Sequence, residues 1–194
     1  MAAVTEKFSM FPFLVYVGFN CLVIAAGWLL LRNRLSWRDI GFTHFRWGDL
    51  GLGAAAAFIG VFLVYPAAML LAGALGIEGM KGMNYSLADP LNIISAVLMA
   101  SLIGPLAEDI LFRGFLLSLL GAKIRQKWLT GIIGVFLFTA IHIFYFGWGG
   151  VLFILLWSPL SVGLFLWRKS IYPCLVLHVL NNLTAYVLIP VIIE

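Results

Sequence analysis

Apolar residues fill this chain in six long blocks, at about 11–31, 50–77, 91–120, 129–146, 150–167 and 171–192, separated by short polar connections. Blocks of about 20 apolar residues are long enough to cross a bilayer as helices, and longer ones tilt or kink. The pattern predicts an all-α fold, a polytopic membrane helix bundle with about six transmembrane helices, in one integral membrane domain over 1–194. Two places are less regular. The long third block can break at Gly104-Pro105, and only Gly147-Trp148-Gly149-Gly150 separates the fourth block from the fifth. The first block is too long for the core of a cleaved signal and reads as the first membrane helix.

The charges between the blocks alternate. Arg32, Arg34, Arg38 and Arg46 follow the first block, Lys123, Arg125 and Lys127 the third, and Arg168 and Lys169 the fifth. The other connections and the N-terminal stretch hold only Lys7 and Lys81. Basic connections stay on the cytoplasmic side, so both termini are expected outside. The segment from Leu35 to Leu50 mixes Trp37, Phe42, Phe45 and Trp47 with charged residues and reads as an interfacial stretch with aromatic anchors.

Composition agrees with the pattern. The chain is 63% hydrophobic and 10% charged, far from the balance of a soluble domain. The net charge of +4 is spread over connections rather than gathered in a patch, which argues against nucleic-acid binding. Cys21 and Cys174 form no C-x-x-C motif and suggest no disulfide framework.

Three blocks carry groups that a bilayer-spanning helix should avoid: Glu108, Asp109 and Arg113 in the third, His142 in the fourth, and His178 and Asn182 in the sixth. Such groups are costly in a membrane and usually face a protein interior or a water-filled cavity. Counting helical rise from the basic side puts Glu108 and His142 at roughly 20 Å, Arg113 near 12 Å, His178 near 10 Å and Asn182 near 16 Å. Residues far apart in sequence thus share one layer. Asp109 and Arg113 are four apart and can pair, which leaves Glu108 on another face. His178 and Asn182 are also four apart, and Phe138 lies one turn before His142, where its ring can restrict the imidazole.

A buried Glu is a suitable general base for water, and a neighbouring His can hold that water or carry its proton. His178 and Asn182 offer N–H donors to a developing oxyanion. Together these groups describe a hydrolase for a carbonyl substrate such as a peptide bond. Zinc is an alternative: Glu108, His142 and His178 form a His₂Glu set, although no H-E-x-x-H occurs. Two other classes stay open, a non-catalytic immunity or scaffold protein on the same fold and a proton-coupled transporter, because buried Glu and His also make proton relays. Each group also has a structural reading, as an ion pair or an interhelical hydrogen bond.

The motifs Glu108-Asp109-x-x-x-Arg113, Phe138-x-x-x-His142 and His178-x-x-x-Asn182, in this order on separate blocks, resemble those of the CPBP family (CAAX protease and bacteriocin-processing, also called Abi) of intramembrane proteases. Pro105-Leu106-Ala107 before the acidic pair and Phe112-Arg113-Gly114 within and after it extend the likeness, which covers about 91–192. The resemblance implies a prokaryotic CAAX-protease-like intramembrane endopeptidase. It implies that Glu108 and His142 activate a water, that His178 and Asn182 stabilise the oxyanion, and that Asp109 and Arg113 support Glu108. It further implies a metal-independent, glutamate-type mechanism, a peptide or protein substrate, and a place in a prokaryotic plasma membrane. The chain departs from the family at Asp109, where a second Glu is usual.

Overall fold

The computed structural model describes residues 10–80 and 90–193, and helices are the only regular structure there. Six helices follow one another: α1 (Met10–Leu31), α2 (Trp47–Ala74), α3 (Pro90–Lys123), α4 (Lys127–Ala140), α5 (Ile143–Arg168) and α6 (Tyr172–Ile192). Four of them are long and apolar enough to cross a membrane: α2, α3, α5 from Phe146 onward, and α6. The outer surface is apolar, with Leu22, Leu30, Leu70 and Ile192 all more than two-thirds exposed, while Asp49, Asp109, Arg113 and Ser161 are buried. Greasy outside and polar within is the arrangement a bilayer stabilises, so this is an integral membrane protein.

Several helices carry wide turns with hydrogen bonds reaching five residues back. Those at Gly60–Val64, Ser95–Ile103 and Thr184–Leu188 each lie just ahead of a proline, namely Pro66, Pro105 and Pro190. A proline ring displaces the carbonyl four residues back and offers no N–H, so the preceding turn widens. Gly104-Pro105 therefore widens α3 without ending it. A further wide stretch, Ile110–Leu116, begins immediately after the acidic pair. Glu108 and Asp109 sit on a short α-helical piece, Gly104–Asp109, between two such stretches.

The fourth apolar block departs from the expected single helix over 129–146. Helix α4 stops at Ala140, Ile141 and His142 form a turn, and α5 starts at Ile143. At 14 residues, α4 is only about 21 Å long, less than the hydrocarbon thickness of about 30 Å. The expected turn before the fifth block appears as a kink inside α5 at Gly147, with φ 65° and ψ −174°.

The three basic connections meet at one end of the bundle. Asp49 accepts from Arg168 at 2.9 Å, Ile171 N–H donates to the Gly41 carbonyl at 3.0 Å, and Ser118 Oγ donates to the Asp39 carbonyl at 2.7 Å. Ser36 donates its N–H and its hydroxyl to Asp39, which holds that carboxyl below its ordinary range. Gly41 adopts φ 94° with the Phe165 ring and the Ile171 backbone against it, so a side chain there is both strained and blocked. The segment expected to lie at the interface does carry an aromatic chain from Trp28 through Trp37 and Phe42 to Tyr172. The opposite-side cations Lys7 and Lys81 lie outside the described residues.

Helix α2 crosses α6 at close range. A Cβ at Gly53 would fall 2.7 Å from the Pro173 carbonyl oxygen. Ala56, Ala57 and Ala68 of α2 join Phe138, Phe153, Ile154, Trp157 and Leu177 in the central apolar cluster. Small residues on α2 thus let the backbones approach, and this cluster forms the support for the polar groups described next.

Candidate active site

The polar residues from three distant segments meet. Glu108 Oε2 lies 3.8 Å from His142 Nε2 and 3.7 Å from His178 Nε2. Asp109 Oδ1 lies 3.4 Å from His178 Nδ1 and 3.2 Å from Arg113 Nη1. Asp109 and Arg113 are completely buried, while Glu108, His142 and His178 are 9%, 8% and 5% exposed. The division expected from helical spacing holds: Asp109 turns to Arg113, and Glu108 turns to the imidazoles.

The break at His142 explains how its ring is set. In a continuous helix the Phe138 carbonyl would accept the N–H of residue 142. Here His142 N–H turns instead to the Thr139 carbonyl, at 3.1 Å. The Phe138 carbonyl is left for the imidazole, and His142 Nδ1 approaches it to 2.7 Å. A carbonyl only accepts, so Nδ1 carries the proton and Nε2 of the neutral ring presents its lone pair toward Glu108. The 3.8 Å gap is too long for a direct hydrogen bond, yet one water can sit about 2.8 Å from both atoms.

His178 is oriented in the same manner from the other side. An ionised Asp109 only accepts, so Nδ1 of His178 donates to it and Nε2 faces Glu108. Asp109 was expected only to pair with Arg113 and support Glu108. The structure adds His178 to its contacts, a cross-helix contact that spacing along one helix cannot reveal.

Arg113 is held on three sides. Besides Asp109, its Nε donates to Ser161 Oγ at 3.0 Å, and its guanidinium carbon stands 3.9 Å from the Phe138 ring centroid. Phe138 also meets His142 at 4.7 Å and His178 at 6.1 Å between ring centroids, so its ring touches every cationic or imidazole group of the cluster. Trp157 packs against His178 at 5.1 Å. Ser161 and Trp157 are site residues that the sequence reading passed over. Their only signal was a polar atom within an apolar block, which is common for Ser and Trp.

Asn182 lies one turn beyond His178, and its Nδ2 donates to the Ala100 carbonyl at 2.9 Å. The Ala100 carbonyl belongs to the wide stretch of α3, so Asn182 ties α6 to the turn that precedes the acidic pair. One of its two N–H groups remains for another acceptor.

The same three groups bear on the zinc alternative. Two ligands of one tetrahedral zinc, at about 2.0–2.1 Å from it, lie about 3.3–3.4 Å apart. Glu108 Oε2 stands 3.8 and 3.7 Å from the two Nε2 atoms, within a few tenths of an ångström of that spacing. Among the described residues no three His, Cys, Asp or Glu donors converge as a metal-holding group. Both cysteines are free thiols, Cys21 exposed and Cys174 buried.

Residues 90–184 match the family model described as type II CAAX prenyl endopeptidase Rce1-like. The match contains Glu108, Asp109, Arg113, His142, His178 and Asn182, and leaves α1 and α2 outside it. No curated protein and no solved structure matches the chain.

Proposed function

We propose, from the match of residues 90–184 to the type II CAAX prenyl endopeptidase Rce1-like family model, that this chain is a glutamate-type intramembrane endopeptidase. It hydrolyses a peptide bond of a membrane-associated peptide or protein near the cytoplasmic side, without a metal cofactor. The observation that carries this reading is one carboxylate oxygen, Glu108 Oε2, facing the Nε2 atoms of two oriented imidazoles at 3.8 and 3.7 Å.

The reaction needs a water between Glu108 and His142. His142 accepts one hydrogen bond from it at Nε2, because Nδ1–H is committed to the Phe138 carbonyl. Glu108 takes the water's proton as the oxygen adds to the carbonyl carbon. The carbonyl electron pair moves to oxygen, and the resulting anion is met by the remaining Asn182 N–H and by His178. His178 donates from Nε2 only as the imidazolium, since Nδ1–H serves Asp109. When the intermediate collapses, the C–N bond breaks and the proton held on Glu108 passes to the departing amine. Water and peptide are thereby converted to one carboxylate end and one amine end.

The test is cleavage of a prenylated CAAX-type peptide by purified protein in detergent micelles. Glu108→Gln is expected to abolish turnover while the protein stays folded, because the amide cannot take a proton. Undiminished turnover in this variant would remove Glu108 as the base. A proton flux in liposomes carried by a protein that cuts no peptide would favour the transporter class instead.

A further inference from the structure

Helix α1 lies outside the family match, yet it carries a buried polar group at the level of the site. Asn20 is 6% exposed, and its amide nitrogen has no hydrogen-bond partner. A buried donor left without an acceptor is costly, so its presence calls for a reason.

Its position can be worked out from packing. Spacings of four, seven and eleven residues set Asn20 on the face of α1 that holds Ile24, Gly27 and Leu31. That face rests on α3. A Cβ at Gly27 would lie 3.6 Å from the Phe115 ring, and Ile24, Trp28 and Leu31 share a cluster with Ile110, Leu111, Phe115 and Leu119. Contacts of α1 run along α3 from Ser95–Ile103 through Gly104–Asp109 to Ile110–Leu116, and with Gly27 beside Phe115 the two helices run in the same direction. Seven residues before Gly27, about 10 Å back along α1, Asn20 comes abreast of the part of α3 that α1 also touches and that holds Glu108, Gly104–Asp109.

The other donors at this level are partly committed, which leaves one Asn182 N–H and His178 Nε2 for the anion. His178 Nδ1 serves Asp109, and Asn182 Nδ2 serves the Ala100 carbonyl. We propose that the side-chain amide of Asn20 is a further oxyanion donor of the proteolytic site, contributed by α1. Its N–H donates to the carbonyl oxygen of the scissile bond and strengthens as that oxygen gains charge. Asn20 keeps its proton throughout, while Glu108 takes the proton of the water. In the complex the substrate carbonyl is then the acceptor that this donor meets.

This inference rests on the proteolytic reading, and the experiment separates the two. Wild type, Glu108→Gln, Asn20→Leu and Asn20→Ser are assayed in micelles on a farnesylated CAAX peptide with a fluorophore and quencher across the bond, together with their unfolding midpoints. Loss of one such donor is expected to lower kcat about 10²-fold with KM changed less than about twofold. Asn20→Ser retains a hydroxyl donor and is expected to recover about tenfold of that loss. Asn20→Leu removes a buried polar group of similar size and is expected to unfold no more easily than wild type. An inactive Glu108→Gln beside an Asn20→Leu with wild-type kcat would overturn the role of Asn20 alone. So would an Asn20→Ser as slow as Asn20→Leu or, if the leucine variant does not fold, an Asn20→Ser with wild-type kcat. A wild type that does not cut the peptide would overturn both readings.

Discussion

Replacing Arg113 by Met exposes how the site is held together. The guanidinium is completely buried, 3.2 Å from Asp109, hydrogen-bonded to Ser161 and stacked at 3.9 Å on Phe138. Met fills much of the same space but carries no charge, so Asp109 stays buried with only His178 facing it. Removing one partner of a buried ion pair costs about 3–5 kcal/mol. The lost stacking, about 2 kcal/mol for a desolvated cation over a ring, and the orphaned Ser161 hydroxyl put the expected loss in the upper part of that range. If the cost comes from the unpaired carboxylate, removing that as well should relieve it. The double variant Asp109→Leu, Arg113→Met is expected to return to within about 1 kcal/mol of wild type, far less than the sum of the two single losses. Peptide cleavage should not return with it, because His178 has lost the acceptor that orients it. Reversible unfolding in mixed micelles measures the first quantity, and turnover of the prenylated peptide the second. An Arg113→Met loss below about 1 kcal/mol, or a double variant equal to the sum of the singles, would refute the account of a carboxylate kept in place by its cation.

Two further outcomes follow from the packing and the donor geometry. Gly53→Val is expected to destabilise by about 1–3 kcal/mol, since its Cβ would meet the Pro173 carbonyl and force α2 and α6 apart; an unchanged unfolding midpoint would contradict the close crossing. Prolonged chelation followed by metal analysis is expected to leave turnover intact with less than about one-tenth equivalent of zinc, and activity that returns only with stoichiometric zinc would overturn the metal-independent mechanism.

The helical count and the meeting of Glu108, Asp109, Arg113, His142 and His178 were legible in the sequence. Ionisable groups are rare in apolar blocks, and a fixed helical rise converts their positions to depth. The division of Asp109 from Glu108 was legible for a similar reason, because residues four apart share a face. The contact between Asp109 and His178 was not, since it depends on how α3 and α6 are placed side by side. Ser161 and Asn20 stayed inconspicuous because single neutral polar residues are ordinary in membrane helices. The turn at Ile141-His142 gave no sign of itself either: no proline or glycine marks it, and an apolar run alone does not tell a helix from a helix that stops and restarts.

That unmarked turn bears on how the site tolerates change. His142 takes its tautomer from a main-chain carbonyl, and every amino acid at position 138 supplies the same carbonyl. Substitution of the neighbouring side chain cannot erase the acceptor, whereas a carboxylate partner would be lost in a single codon change. The Phe138 side chain consequently serves the site through its ring, as the surface on which Arg113 rests, and the two duties of one residue are separable. What would abolish the proton's placement is a change of local backbone path, the restoration of an unbroken helix through His142, and no conservative replacement of an active-site side chain accomplishes that.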